Sequence, residues 1–366
     1  MGVTLSQMTM GSAAAVLEPA EDASGVRRRL RDRFGRAITD LRVSVTDRCN
    51  YKCVYCRTGN EGAQYTELPI EDYLRMVRRF VSLGVEKIRL TGGEPLLRSG
   101  LVEMVGELAT MRTAFLPDGT PTDDGMPLDI ALTTNGHLLE GLARPLKDAG
   151  LGRITVSMDA VDAKTFAAIT RVPRSFEKVM AGIRKAQEVG LGPVKVNCVL
   201  LRGFNDGQIE DFAEFSRREG VIVRFIEFMP LEEDRSWRPE TVVSMDEIVG
   251  RLNAYRPLVE LKPHALSETA KRFTFDDGVG EIGIVAPVSR PFCGHCSRVR
   301  LTSDGKIRTC LFSQSDHDLL GEMMRGGTDA QLDAYIRRVV MRKEERHHIG
   351  EPGFEKPSRN MVHIGG

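Results

Sequence analysis

Three cysteines fall within one short stretch, Cys49-Asn50-Tyr51-Lys52-Cys53-Val54-Tyr55-Cys56, and no fourth metal ligand follows them. A structural zinc ion takes four Cys or His ligands, yet the next cysteine is Cys198 and the first histidine of the chain is His137. A four-iron cluster accepts the triplet as it stands, because three thiolates can bind three irons and leave the fourth open to a ligand. Spacing alone keeps a zinc knuckle, or three unrelated buried thiols, beside the cluster as readings. A second triplet, Cys293-Gly294-His295-Cys296 with Cys310 further on, fits a zinc ribbon completed by His295 or His317, or a second metal cluster. Between its cysteines run Arg298-Val299-Arg300, whose two arginines share one face of an extended segment and suit phosphate or purine contacts beside a metal. The seventh cysteine, Cys198, reads as a buried structural thiol.

The elements that must position these residues alternate. Strand-like runs at 41–46, 87–91, 129–134, 153–158, 194–200 and 221–228 are separated by helical patterns near 69–83, 99–110, 138–149, 162–190 (broken at Pro173), 206–219 and 244–255. Such alternation predicts an α/β fold of parallel strands with right-handed crossovers: a partial (β/α)6 TIM-like barrel, with an open doubly wound sheet as the rival. Within the strands, polar and apolar residues alternate. Outer helices must cover the apolar face, so Arg42, Arg89, Thr91, Thr133, Ser157, Asp159, Lys195 and Asn197 should line the lumen. Barrels of this kind usually fill their interior with branched apolar side chains. Three cations against one carboxylate instead make a cavity for an anionic ligand. The run 221–228 does not phase, and its inward face stays open. The chain divides into an extension at 1–33, expected to be mobile with a solvated arginine run, the barrel at 34–235, and a C-terminal region at 236–366. Residues 111–128 read as an exposed, turn-rich insertion.

Composition narrows the function classes. Lys+Arg and Asp+Glu both total 51, so no net charge points to nucleic acid or an anionic membrane. Seven cysteines grouped in triplets argue against a disulfide framework and for the reducing cytoplasm. No apolar run is long enough to span a membrane, and the start lacks the pattern of a signal peptide. Met1-Gly2-Val3-Thr4-Leu5-Ser6 matches the myristoylation pattern, which is short enough to recur by chance. Gly278-Val279-Gly280-Glu281-Ile282-Gly283 matches a dinucleotide-binding pattern but leads into a strand rather than a helix, so it reads as a hairpin turn.

Active residues of such barrels sit at the carboxyl ends of the strands. The first strand runs into Cys49 and the second into Thr91-Gly92-Gly93-Glu94-Pro95, where two glycines allow close backbone approach to a ligand. The cysteine spacing, with Tyr55 just before the last thiol, resembles the signature of the radical S-adenosylmethionine (SAM) enzymes, and Gly-Gly-Glu-Pro resembles their motif for the SAM amino group. Adding the second triplet, the run Arg89 to Arg98 and the terminal Ile364-Gly365-Gly366, the chain from about Phe34 onward closely resembles the GTP 3′,8-cyclase family of molybdenum-cofactor biosynthesis.

That resemblance implies two [4Fe-4S] clusters, one on Cys49, Cys53 and Cys56 and one on Cys293, Cys296 and Cys310. It implies SAM contacts from Tyr55, Gly93, Ser157 and Met229, and GTP contacts from Arg42, Arg89, Thr133, Lys195 and Arg298 to Arg300. It implies reductive cleavage of SAM, hydrogen removal from C3′ of GTP and closure onto C8. It also implies a reductant for the SAM cluster and a downstream pyranopterin monophosphate synthase, leaving a homodimer open. Ser297 departs from the Asn common in the family after that cysteine. Gly365 and Gly366 are implied to enter the active site and assist the radical step. Their lack of side chains suits a narrow cavity, with Met361 and Ile364 as apolar anchors.

Overall fold

The computed structural model describes residues 28–56, 63–232 and 237–365. Most of the N-terminal extension, with the match at Met1–Ser6, and Gly366 lie outside the described residues. The strands are β1 (Asp40–Ser44), β2 (Lys87–Thr91), β3 (Arg112–Phe115), β4 (Pro121–Pro127), β5 (Asp129–Thr134), β6 (Arg153–Ser157) and β7 (Lys195–Leu200). They continue as β8 (Ile222–Glu227), β9 (Leu258–Leu261), β10 (Lys271–Phe275), β11 (Glu281–Val285), β12 (Arg298–Leu301), β13 (Lys306–Arg308) and β14 (His317–Asp318). The helices are α1 (Ile70–Ser82), α2 (Leu101–Thr110), α3 (Leu139–Asp148), α4 (Ala163–Thr170) and α5 (Phe176–Glu188). Then follow α6 (Ile209–Glu219), α7 (Met245–Tyr255), α8 (Leu319–Met324), α9 (Asp329–Val340) and α10 (Met361–Ile364).

The strands β1, β2, β5, β6, β7 and β8 stand side by side in parallel, each followed by helix. This is the expected α/β partial barrel. Its apolar faces, such as Leu41 and Val43, Ile88 and Leu90, Val196 and Cys198, are buried in one continuous core. The helices meet them with matching periodicity. In α1, Tyr73, Met76, Val77 and Phe80 recur at helical spacing and are buried, while Glu71 and Asp72 in the first turn and Arg79 in the last oppose the helix dipole. As expected, helix breaks around Pro173, between α4 and α5. Among the described residues no helix is long and apolar enough to cross a membrane.

The C-terminal region extends the same sheet at both edges. Strand β12 pairs in parallel with β1, and β11 in parallel with β8, giving the order β14-β13-β12-β1-β2-β5-β6-β7-β8-β11-β10-β9. Residues 276–280 turn between antiparallel β10 and β11, as the hairpin reading required. Two expectations are corrected. Residues 111–128 form the hairpin β3–β4 rather than a loop, and Met111, Thr113, Ala114 and Phe115 are buried. Its tip and much of the outer strand β4 are exposed, as expected. The described end of the extension is packed in part: the Leu30 N–H donates to Leu83 O at 2.8 Å, and Arg29 reaches Leu116 O at 2.8 Å and Glu86 at 3.1 Å, while Arg28, Arg31 and Arg33 are exposed as expected. An arginine stem can lie against apolar surface while its head finds carbonyls, which a charge count along the chain does not reveal.

Strand β8 resisted phasing because its helix-facing side ends in a carboxyl group. Val223, Phe225 and Glu227 are buried, while Ile222, Arg224 and Ile226 alternate with them. Glu227 accepts from the N–H groups of Met245 (3.0 Å), Val288 (2.8 Å) and Ser289 (2.9 Å), and from the Ser289 hydroxyl. It joins the start of α7 and the chain after β11 to the barrel. Glu227→Ala would leave the buried Met245 N–H unpaired, at about 1–3 kcal/mol, and would free the less buried Val288 and Ser289. A loss on the order of 2 kcal/mol is expected in urea unfolding, with the C-terminal region released first; an unchanged midpoint would mean that β8–β11 pairing alone holds it.

Candidate active site

Both cysteine triplets open onto one cavity of about 720 Å³, lined from β1 around to β11 and by the C-terminal region. Its wall carries a row of cations set by strand register. Arg42 on β1 lies opposite Arg300 on β12 and Arg89 on β2. Further round, Lys195 pairs with Thr155, and Arg224 lies beside Asn197. Arg89 donates to Thr133 Oγ1 at 3.2 Å and Thr155 Oγ1 at 3.3 Å, and Arg224 Nε donates to Asn197 Oδ1 at 2.9 Å. These partners are neutral. The acids nearby are engaged elsewhere: Asp129 with Arg153 Nε (2.9 Å), Asp40 with the Ser297 hydroxyl (2.6 Å).

Burial, joined by Arg300, Arg298 and Arg89, pulls Arg42 well below its ordinary value. Burial and Arg298 bring Arg300 to about 9, and burial with Arg89 and Arg153 does the same to Arg224. Burial, then Arg224 and Arg153, lowers Lys195 to about 8. Arginines keep their protons even so, so the downward pull reflects burial first and mutual repulsion second, and a bound polyanion would offset both.

The first triplet is positioned by backbone. From β1 the chain passes through Thr46-Asp47-Arg48 to Cys49, directly against Gly92 and Gly93 at the end of β2. Gly93 N–H donates to Thr46 O at 2.8 Å and Glu94 N–H to Arg48 O at 2.7 Å. A Cβ on Gly92 would lie 2.3 Å from Thr46 O, and one on Gly93 2.3 Å from Arg48 O. The glycines line the cavity, but the neighbouring chain demands them first. Glu94 is buried, a location that raises it to about 7 against its hydrogen bonds from Asn135 N, Thr134 Oγ1 and Leu96 N, and so ties the ends of β2 and β5. The cysteine loop rests on the end of α4, with Lys52 N–H on Thr170 O at 3.1 Å and Val54 N–H on Ile169 O at 3.0 Å. Tyr55 donates to Asp159 at 2.7 Å. Burial and the Asp159 charge push the Cys53 thiol well up.

At the second triplet, Arg298 Nη2 lies 3.4 Å from Cys296 Sγ, and buried Lys343 donates to Arg298 O at 2.9 Å. Burial alone would raise Cys296, but Arg298 and Lys343 outweigh it and bring the thiol down to about 6. His295 is exposed and neither it nor His317 lines the cavity. Among the described residues no three Cys, His, Asp or Glu groups converge closely enough for a single metal ion.

The tail enters this cavity. Met361 and Val362 line it and Ile364 is fully buried. Gly365 O accepts from Arg300 Nη1. A Cβ on Gly365, at φ +69°, would lie 2.5 Å from both Ser44 Oγ and Thr91 Cγ2.

The radical SAM superfamily model matches residues 43–216, and the molybdenum cofactor synthesis C-terminal model matches 221–349. A GTP 3′,8-cyclase of Acidothermus cellulolyticus is 43% identical over 330 residues, 87% of each chain. One of Corynebacterium glutamicum is 40% identical over 362 residues, 96% of this chain and 92% of its own. The chain belongs to the GTP 3′,8-cyclase family. The crystal structure of Streptococcus suis SuiB bound to S-adenosylmethionine shares the fold, at TM-score 0.57 and 13% identity over 87% of this chain and 76% of that one.

Most residues that likeness to the cyclase family nominated meet in the one cavity: Tyr55, Gly93, Ser157, Met229, Arg42, Arg89, Thr133, Lys195, Arg298, Arg300 and all six cysteines. Val299 does not. Its side chain is fully buried in the apolar layer beside Leu41, leaving only its backbone available. Cys198 is buried in the core as expected. Ser297, where the family commonly has Asn, bonds Asp40 and so fastens β12 to β1. Arg224 and Lys343 were missed. Arg224 could have been found from its place amid apolar residues in a strand, whereas Lys343 follows a helix and carries no local signal. As a member of a radical SAM family this enzyme uses SAM and an iron–sulfur cluster, and the Cys49–Cys56 loop has the donor set to hold one.

Two outcomes check this geometry. Gly93→Ala must displace the Arg48 backbone and with it Cys49, so anaerobically reconstituted protein should retain distinctly less iron than the parent while Cys310→Ala/Gly93→Ala loses more again. Tripolyphosphate binding, followed by calorimetry, should weaken as pH rises through about 8, because the bound polyanion raises the Lys195 pKa and so favours its protonated form. The fall should be at most about ten-fold per pH unit until the pKa of the complex is reached, and Lys195→Met should show a flatter profile.

Proposed function

We propose that this enzyme converts GTP into 3′,8-cyclo-7,8-dihydro-GTP, the first committed chemistry of molybdenum-cofactor biosynthesis. The observation that carries the reading is the single cavity with a cysteine triplet at each side and a row of buried cations between. Cys49, Cys53 and Cys56 hold the cluster that binds SAM, with Tyr55, Gly93, Ser157 and Met229 around the cosubstrate. Cys293, Cys296 and Cys310 hold a second [4Fe-4S] cluster at the guanine end. When bound, the first cluster and SAM would supply a 5′-deoxyadenosyl radical for hydrogen removal from C3′; closure of C3′ onto C8 leaves a ring radical that takes one electron from the reductant and one proton to give the dihydro product.

The chain's own residues bind, orient and exclude. Arg42, Arg89, Lys195, Arg224 and Arg300 hold the triphosphate, fixing the ribose between the two triplets. Each charge-assisted contact contributes on the order of 1.5–3 kcal/mol. Arg298 lies between Cys296 and the substrate, and Thr133 holds Arg89 in place. Gly365 approaches the nucleotide beside Arg300, where a side chain would meet Ser44 and Thr91, and the terminal glycine pair assists the radical step. Positioning of this kind, with water kept out, is the protein's share of a reaction whose difficult steps belong to its cofactors. A one-electron reductant feeds the first cluster, and a pyranopterin monophosphate synthase takes the product.

Anaerobic incubation with GTP, SAM and dithionite tests this. Roughly eight irons per chain and a product isomeric with GTP are expected. Cys49→Ala should abolish SAM cleavage. Cys310→Ala should retain uncoupled SAM cleavage without cyclised nucleotide. Normal SAM cleavage and turnover in both variants would overturn the division of labour between the triplets.

A further inference from the structure

The tail is gripped before it reaches the cavity. Arg359, only 8% exposed, forms a two-pronged pair with Asp304, Nη1 to Oδ1 at 2.8 Å and Nη2 to Oδ2 at 2.9 Å. Its Nε lies 2.5 Å from Asp316 Oδ2, and its guanidinium stacks 5.0 Å from the ring centre of Tyr65. The partners are themselves fixed. Asp304 accepts from Thr302 Oγ1 at 2.6 Å and Asp316 from Arg308 at 2.8 Å. Tyr65 N–H donates to Asp47 Oδ2 at 3.0 Å, just ahead of Cys49, and its ring meets His363 edge-on at 5.5 Å. Burial alone would raise Asp304, but Arg359 and Thr302 hold its carboxyl well below the ordinary range.

Asp304 stands in the turn between β12 and β13, and Arg300 on β12 holds Gly365 O. One hairpin therefore grips the tail at both ends, and the same strand carries Arg298 beside Cys296. The two grips differ in kind. Arg300 also faces the cavity and must share its guanidinium with any polyanion there, whereas Arg359 does not line it. From Arg359 the single turn α10 carries the chain to Gly365, with His363 N–H on Asn360 O at 3.1 Å and Gly365 N–H on Met361 O at 3.0 Å.

We infer that Arg359 is a positioning residue: its pairing with Asp304 and Asp316 holds the glycine tail at the reacting nucleotide when the substrate draws Arg300 away. This rests on the proposed GTP chemistry. A forked guanidinium suits the task because it engages both carboxylates at once, which a lysine cannot. Loss of the latch loosens the tail without removing any group that touches GTP, SAM or a cluster. Its effect falls on the yield of cyclised product per SAM cleaved, not on substrate affinity.

The test uses reconstituted full-length protein carrying Arg359→Met, which keeps an apolar stem against Tyr65 and loses the fork. Expected are unchanged iron content, GTP dissociation constant within about two-fold of the parent, and faster hydrogen exchange at 361–365. Cyclised product per 5′-deoxyadenosine should fall between about ten- and a hundred-fold, the scale of a small misplacement. Arg359→Lys should recover part of it. The pair Asp304→Asn/Arg359→Met, which removes the carboxylate that faced the fork and leaves Asp316 paired with Arg308, should behave like Arg359→Met. Recovery of coupling in that double variant would trace the loss to the stranded charge and sink the latch. So would looser tail amides with coupling intact, or lost coupling with amides as protected as in the parent. If the parent itself makes no cyclised nucleotide, the functional reading fails, and the exchange measurement still reports whether Arg359 holds the tail.

Discussion

The crowding of cations into one cavity, where lost hydration and mutual repulsion both weigh on them, is the constraint on which the rest of this structure depends. Strand register places Arg300, Arg42 and Arg89 in one row, with Arg224 and Lys195 further round the wall. Like charges brought out of water repel far more strongly than on a surface. Such a row persists only where the backbone beneath it cannot yield. The hydrogen-bonded parallel strands and the apolar layer of Leu41, Val43, Ile88, Leu90 and Val223 supply that rigidity. The same repulsion makes the cavity selective, since a ligand that brings several negative charges relieves all of it at once.

Rigidity also governs the metal end. The Gly-Gly of β2 is usually thought of as room for a ligand, but here it is first a contact between two chains. Gly92 and Gly93 press on Thr46 and Arg48 at distances that exclude any side chain, and Glu94 binds the end of β5. The loop that presents Cys49, Cys53 and Cys56 is thus cast against β2, α4 and Asp159 rather than left free. Preorganised thiols of this kind spare the ordering cost when a cluster binds.

The C-terminal region completes the site from both sheet edges. Through β11 and Glu227 it continues the wall beyond β8. Through β12 it brings the second triplet, Arg298 and Arg300 next to β1, with Ser297 on Asp40 as fastener. The tail then crosses from this region back to the ends of β1 and β2, where Gly365 lies against Ser44 and Thr91. Distant parts of the chain meet at Arg300.

Local pattern was enough for the barrel strands, their helices and the polar lumen, because a strand covered on one face must alternate and that alternation is written in neighbouring residues. It was enough for the cysteine triplets too, since metal chemistry constrains residue type and spacing directly. It failed where a residue's partner lies far along the chain. Glu227 spoiled the phase of β8 because it braces residues 245 and 288–289, and so hid Arg224. Arg29 looked solvated because its acceptors are in the hairpin β3–β4. Val299 was named with its neighbours, but alternation on β12 turns it into the core. Lys343 and Arg359 gain meaning only from Thr309, Asp304 and Asp316, which folding brings to them. Sequence alone determined which groups could hold metal and anion. Tertiary structure decided that both triplets share one cavity, because register between β12 and β1 is a long-range choice that no local spacing encodes.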